Sequence, residues 1–367
     1  MISGGGTGGH VYPILAVVEK LVHSGFVNSG FIDTNLRVYD DTNLRFLYVG
    51  SHGGVEEGIV HREGLPFAAI STGGLRGLAP WTVARNLLRI MVGLAQSVRI
   101  VRDFSPDVVL VTGGYVCAPV AVAAWLFRVP LLVLLPDLEP GLAIRALSRL
   151  ATRVSVSFPE VAKYFAKDKV LVAGYPVRGE FFTINKAEAK VSFGLEEGQK
   201  TVTVFGGSRG AHSINLALSR CLEQLLEVCQ VIHICGHSDA EWVMERQGQL
   251  PHRLRQRYRA YSYLYDDMPS ALAAADLVVA RAGAATLGEF PALGLPSILV
   301  PYPHAGQHQE LNADYLVSRG AAVKIADAQL GEKLLPTILE LLSTGKVLDD
   351  MSQRARALAR PDAAQRI

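Results

Sequence analysis

The sequence predicts an α/β protein made of two doubly wound, Rossmann-like domains facing a central cleft. Three observations predict it. A short strand runs into Ser3-Gly4-Gly5-Gly6-Thr7-Gly8-Gly9-His10, and a second glycine turn, Phe205-Gly206-Gly207-Ser208-Arg209-Gly210-Ala211, follows another β-branched strand. The 367 residues exceed what one hydrophobic core usually supports, so two domains of about 170 residues are expected. Throughout, brief apolar runs alternate with helix-like stretches, the pattern of buried parallel strands with helices on both faces.

The first strand should be very short, since only Met1 and Ile2 precede the turn. Glycines let the chain pass tightly from strand to helix, and the helix start offers N–H groups and a positive dipole end to a phosphate. Neither turn ends in the Gly-Lys-Ser/Thr of a nucleotide P-loop, and neither is a clean dinucleotide fingerprint. Residues 28–42 are polar and irregular and read as an inserted loop. Further strands are expected at Leu44 to Val49, Val108 to Val111 and Leu131 to Leu135 in the first half. The second half adds Val202 to Phe205, Val231 to Cys235, Leu277 to Ala280 and Ser297 to Val300. Glycine and proline in Ala173-Gly174-Tyr175-Pro176-Val177-Arg178 interrupt both periodicities, giving domains over 1–174 and 175–345. Residues 346–367 are expected to form a shortened terminal helix packing back toward the first domain.

Composition narrows the function. A net charge of +2 without a basic block argues against nucleic acid as a partner. Despite 49% hydrophobic residues and a mean hydropathy of +0.23, no apolar run approaches the roughly 20 residues of a membrane span. The nearest, Val116 to Phe127, is too short. No cationic segment followed by an apolar stretch marks a signal peptide. Cys117, Cys221, Cys229 and Cys235 lack metal or C-x-x-C spacing and read as reduced core residues of a cytosolic protein.

The chemistry concentrates in the second half. Arg281-Ala282-Gly283-Ala284-Ala285-Thr286-Leu287-Gly288-Glu289 describes a strand end, a glycine turn and a helix bearing one acid. A strand through Val300, Pro301-Tyr302-Pro303-His304 and His308-Gln309-Glu310-Leu311-Asn312 follow. Together with both glycine loops, Ser71-Thr72-Gly73-Gly74-Leu75-Arg76-Gly77, Gly113-Gly114-Tyr115, Gly174-Tyr175-Pro176-Val177-Arg178, Asp266-Asp267-Met268 and Pro361-Asp362-Ala363, this ordered series resembles the MurG family of bacterial N-acetylglucosaminyltransferases.

The resemblance implies a GT-B glycosyltransferase that moves N-acetylglucosamine from UDP-N-acetylglucosamine to undecaprenyl-diphospho-muramoyl pentapeptide, the step making lipid II for peptidoglycan. The acceptor belongs to the first domain and the donor mainly to the second. By the same resemblance Glu289 takes the ribose hydroxyls, the Tyr265 backbone meets the uracil edge, and Ser208 and Arg178 lie near the phosphates. The Ala284 N–H, Gln309 and Asn312 read the sugar, while Thr7, Gly8, Gly9, His10 and Tyr115 face the acceptor and the reaction centre. His10 is the first choice of general base, because an imidazole can accept a hydroxyl proton near neutral pH. Asp137, beyond a strand end, is the second. The family usually carries His-Glu-Gln-Asn where this chain has Leu134-Leu135-Pro136-Asp137, and Gln where it has Arg209; Gly306 stands in place of an expected acid.

Plainer readings stand beside these. Gln309 and Asn312 can satisfy loop backbone, Arg178 can be a linker cation, and Asp266-Asp267 reads as a helix cap rather than a metal pair. No protein-held metal or tightly bound cofactor is expected, a divalent cation being at most a stimulant. Leu75, Leu78, Trp81, Val83, Leu87, Leu88, Ile90 and Met91 with Arg76, Arg85 and Arg89, and Trp125-Leu126-Phe127-Arg128, read either as helix core or as a face resting on anionic headgroups at the cytoplasmic side of the membrane. Competing functions are transfer to another lipid such as diacylglycerol, a UDP-N-acetylglucosamine 2-epimerase, and a silent UDP-sugar binder.

Overall fold

A computed structural model describes residues 1–6, 8–23, 44–74, 79–207, 210–303 and 308–367. The residues group into two compact units, Met1–Arg178 with Asp362–Ile367, and Gly179–Pro361. The change of unit thus follows Arg178, a few residues past the glycine and proline of the expected boundary. Of the terminal segment, 346–361 groups with the second unit and the last residues with the first. The expected loop at 28–42 lies outside the described residues.

The first unit holds a seven-stranded, all-parallel sheet. Its strands are β1 (Ile2–Ser3), β2 (Tyr48–Ser51), β3 (Phe67–Ile70), β4 (Val109–Val111), β5 (Leu131–Leu135), β6 (Arg153–Val156) and β7 (Val170–Val172), in the order β3-β2-β1-β4-β5-β6-β7. Helices α1 (Gly8–His23), α2 (Val55–Arg62), α3 (Pro80–Phe104), α4 (Cys117–Leu126) and α5 (Leu142–Leu150) connect them. The apolar run read as too short for a membrane span is α4, whose Cys117, Val120, Ala121, Ala123 and Ala124 are buried. Ile14, Val18, Tyr48, Val60, Leu110 and Leu134 form one core under α1, and Ala364 and Ile367 pack against it. Burying each large aliphatic side chain there contributes about 1.5–3 kcal/mol.

The second unit repeats the plan with six parallel strands, β8 (Thr201–Phe205), β9 (Gln230–Ile234), β10 (Tyr258–Tyr261), β11 (Leu277–Ala280), β12 (Ser297–Leu299) and β13 (Ala322–Lys324), ordered β10-β9-β8-β11-β12-β13. Around them lie α6 (Lys186–Ser192), α7 (His212–Val228), α8 (Ala240–Gln249), α9 (His252–Arg255), α10 (Met268–Ala273), α11 (Glu289–Leu293), α12 (His308–Ser318), α13 (Leu330–Ser343) and α14 (Gly345–Leu358), and α15 (Ala363–Arg366) returns to the first unit. Each sheet reverses its winding once, between β1 and β4 and between β8 and β11. Ligands of open parallel sheets bind at the carboxyl ends flanking such a reversal. Both glycine loops lie there.

Candidate active site

In the first unit the loop leaving β1 is fixed atom by atom. The Tyr48 hydroxyl donates to the Gly4 carbonyl at 2.7 Å, the Gly5 N–H to Gly113 O at 3.2 Å, and the Gly6 N–H to Glu56 Oε2 at 3.2 Å. Beside it Gly114 holds φ +86°, and a Cβ there would meet the Gly5 carbonyl, so only glycine serves. The two loops of the switch point are thereby packed backbone on backbone.

His10, early in α1, brings Nδ1 within 2.9 Å of the Gly5 carbonyl. A carbonyl can only accept, so Nδ1 carries the hydrogen and Nε2 holds the lone pair of the neutral ring. Nε2 lies against Gly113, 3.3 Å from where a Cβ would sit. Thr112 Oγ1 adds a bond to the His10 carbonyl at 2.6 Å. Gly8 and Gly9 form the start of the same helix; Thr7 lies outside the described residues. Tyr115, 45% exposed, packs its ring over Gly74, whose carbonyl accepts from Asn86 Nδ2 at 2.6 Å.

Sequence reasoning missed Glu56. This fully buried carboxylate also accepts the Ser51 N–H at 2.9 Å and the Ser51 hydroxyl, so one side chain ties the end of β2 to the first glycine loop. Its only local signal is an acid in the first turn of α2, where an acid needs no partner beyond the helix dipole. Cys117 lies beneath the Gly113 turn, its thiol donating to Gly113 O at 2.8 Å, and burial pushes it up to about 11. All four cysteines are buried and unbridged.

Asp137 is half-buried just past β5. Leu134 and Leu135 are buried at the end of that strand. Arg178 stands 5.2 Å above the Tyr12 ring and 3.9 Å from the Glu63 carboxylate, with its side chain 15% exposed. Tyr12 belongs to α1, and Glu63 follows α2.

In the second unit, Ser208 and Arg209 lie outside the described residues, as do His304 and Gly306. Around them Gly210 takes φ +77°, with its Cβ position against the Cys235 carbonyl, and α7 begins at His212. Ala284 opens a 3-10 turn (Ala284–Leu287) that leads through Gly288 into α11, whose first residue is the half-buried Glu289. The leading N–H groups of such a turn have no acceptor within it. Gln309 and Asn312 support this region from α12. The Gln309 carbonyl oxygen accepts the Tyr302 N–H at 2.9 Å, and the fully buried Asn312 donates from Nδ2 to the Ala282 carbonyl at 3.1 Å. Both thus serve loop backbone, as their plainer reading has it. Arg281 binds the Asp327 carboxylate, Ser213 Oγ at 2.9 Å and the Val300 carbonyl at 3.2 Å, locking the ends of β11 and β12 to α7.

Tyr265 follows β10; its carbonyl accepts the Met268 N–H at 3.3 Å and its ring lies 4.4 Å from that of Tyr263. Asp267 occupies the N-cap position of α10 without a side-chain bond to the helix. Among the described residues no three His, Cys, Asp or Glu side chains converge as a metal site would.

Comparison with known proteins follows the same division. Residues 1–156 match the N-terminal domain of glycosyltransferase family 28, and 201–367 its C-terminal domain. A UDP-N-acetylglucosamine–N-acetylmuramyl-(pentapeptide) pyrophosphoryl-undecaprenol N-acetylglucosamine transferase of Roseiflexus sp. (strain RS-1) is 42% identical, covering 99% of this chain and 92% of its own. Its namesake from Listeria monocytogenes is 38% identical over 100% of this chain and 96% of its own. The crystal structure of Acinetobacter baumannii MurG superposes with a TM-score of 0.70 at 26% identity, covering 100% of this chain and 96% of that one. A Neisseria meningitidis UDP-GlcNAc 2-epimerase reaches 0.66 at 14% identity, covering 99% and 96%, a likeness of fold alone. The chain belongs to glycosyltransferase family 28, among the UDP-N-acetylglucosamine–N-acetylmuramyl-(pentapeptide) pyrophosphoryl-undecaprenol N-acetylglucosamine transferases.

Proposed function

We propose that this protein transfers N-acetylglucosamine from UDP-N-acetylglucosamine to the 4-hydroxyl of undecaprenyl-diphospho-muramoyl pentapeptide, inverting the anomeric centre. The observation that carries this reading is the identity to transferases of that name over nearly the whole of both chains. The acceptor hydroxyl attacks the anomeric carbon in line with departing UDP, which positioning alone accelerates strongly. His10 Nε2 receives the hydroxyl proton; its fixed tautomer supports that role, and Asp137 is the alternative base. The diphosphate charge falls to helix and turn N–H groups, Ser208, and Arg178 or Arg209. Glu289 holds the ribose hydroxyls, the Tyr265 backbone the uracil, and the Ala284 N–H the sugar, with Asn312 fixing the turn beneath it. Gln309, its carbonyl committed to Tyr302, offers the sugar its NH2 group. Thr7, Gly8, Gly9 and Tyr115 border the acceptor. No tightly bound ion is needed for these steps.

The acceptor is a lipid, so the enzyme works at the cytoplasmic face of the membrane as a peripheral protein. Among the described residues no helix is long and apolar enough to cross a membrane. Trp81, Leu88 and Met91 on α3 are 77%, 64% and 62% exposed, and Trp125, Leu126 and Phe127 at the end of α4 are also exposed, with Arg85, Arg89 and Arg128 beside them. That exposure favours a surface for anionic headgroups over helix core.

Incubation with radiolabelled UDP-N-acetylglucosamine and defined lipid acceptors tests the reading. Label should move to the muramoyl lipid. Movement to diacylglycerol, conversion to the manno sugar, or no conversion would each replace it.

A further inference from the structure

A hydrogen-bonded chain in the second unit has no part in the steps above. Asn215 Nδ2 donates to Asp239 Oδ2 at 2.7 Å and lies 2.7 Å from the Cys235 carbonyl. Both partners are acceptors, so this atom is the amide nitrogen and Oδ1 is the acceptor. His233 therefore donates from Nε2 to Asn215 Oδ1 at 2.9 Å, and its Nδ1 accepts the Tyr258 hydroxyl at 2.7 Å. From Tyr258 through His233 and Asn215, the chain of donors runs toward Asp239. At the far end His212 directs Nδ1 at both Asp239 oxygens, at 2.9 and 3.0 Å. Burial pushes Asp239 up, but bonds from Asn215, His212 and Trp242 outweigh it and hold the carboxyl below its usual value.

His212 is the opposite of its partner in exposure: its side chain is 66% exposed against 10% for Asp239. It is the first residue of α7, directly after the Gly206–Ala211 loop, and Nε2 lies on the ring edge turned away from Asp239. With Nδ1–H spent on a carboxylate, a neutral ring offers an anion only a lone pair. A protonated ring offers an N–H and a charge that Asp239 already balances. We infer that His212 is a further donor-binding residue, which, oriented by Asp239, takes up a proton and hydrogen-bonds from Nε2 to an oxygen of the nucleoside diphosphate. This rests on the reading that the glycine loop receives the donor's diphosphate. Asp239, Asn215 and His233 are positioning residues. Among the described residues the charged group facing His212 is Asp239; Trp242 of α8 packs edge-on against its ring, and His237 stacks instead on Tyr263.

Titration calorimetry with UDP-N-acetylglucosamine, in two buffers of different ionisation enthalpy slightly above neutral pH, tests it. The wild type should take up protons on binding, since a diphosphate diester has none to release. His212→Gln should bind about tenfold more weakly, without that uptake. His212→Arg should restore affinity and show no uptake, and Asp239→Asn should lower the pH below which binding is tight. Unchanged affinity and proton uptake in His212→Gln, or loss of affinity in His212→Arg as well, would overturn the role. Failure of the wild type to bind this nucleotide at all would instead remove the donor reading beneath it.

Discussion

At the scale of single residues, two side chains that bond to the first glycine loop have separable duties. His10→Ala removes the proposed base while leaving donor binding intact. We expect kcat to fall by about 10²- to 10⁴-fold with UDP-N-acetylglucosamine affinity unchanged; near-normal turnover would hand the role to Asp137. Glu56 touches no substrate in this reading, yet its removal orphans the N–H groups of Gly6 and Ser51. Glu56→Gln fares little better, because its NH2 must oppose a backbone donor on one side or the other. Either variant should lower stability by about 1–3 kcal/mol in denaturant titration. Local sequence announces His10, which sits in a glycine cluster. It is silent on Glu56, whose partner Gly6 lies 50 positions away.

At the scale of elements, legibility follows burial. Leu131–Leu135 and Leu277–Ala280 were evident as apolar runs because both are interior strands and almost wholly buried. The sheet edges β3, β7, β10 and β13 were not, since each is only partly buried; β10 and the interior β6 also carry mixed residues, Tyr258-Arg259-Ala260-Tyr261 and Arg153-Val154-Ser155-Val156. For α3 the sequence left core and surface equally open. The exposure of Trp81, Leu88 and Met91 turns into a prediction: replacing all three by Ser should weaken co-sedimentation with vesicles containing anionic lipid by tenfold or more, as about 0.8 kcal/mol is lost per CH2 withdrawn from the bilayer. Soluble activity toward a short-chain acceptor should persist. Binding equal to wild type would dismiss this face.

At the scale of the whole molecule, the two units have separate sheets and cores and should answer acid differently. In the second, burial lowers His233 to about 3, the attraction of Asp239 offsetting only part of it. The unfolded chain holds this imidazole near 6.5. A depressed folded value means that unfolding binds a proton, so the contribution is intact above about pH 6.5 and declines as pH falls toward 3, by at most about 1.4 kcal/mol per pH unit. Trp242 is the one tryptophan of the second unit, so with Trp81 and Trp125 replaced by Phe its fluorescence reports that unit alone. Its urea midpoint should begin to drop below about pH 6.5, well before free carboxylates titrate. In His233→Phe that early slope should vanish. An unchanged slope would assign the acid sensitivity elsewhere.

The tautomer of His10 carries one more implication. An imidazole whose inner nitrogen is committed to a peptide oxygen has a single doorway, so a proton arriving at Nε2 must depart from Nε2. In the base role proposed for His10, water has to reach that atom between cycles, after the newly lengthened glycan has vacated it. On that proposal, recovery of the base is coupled to egress of the product. Slowing that exit with a bulkier acceptor stem should then make solvent deuterium slow the overall cycle less, as proton transfer ceases to govern the rate.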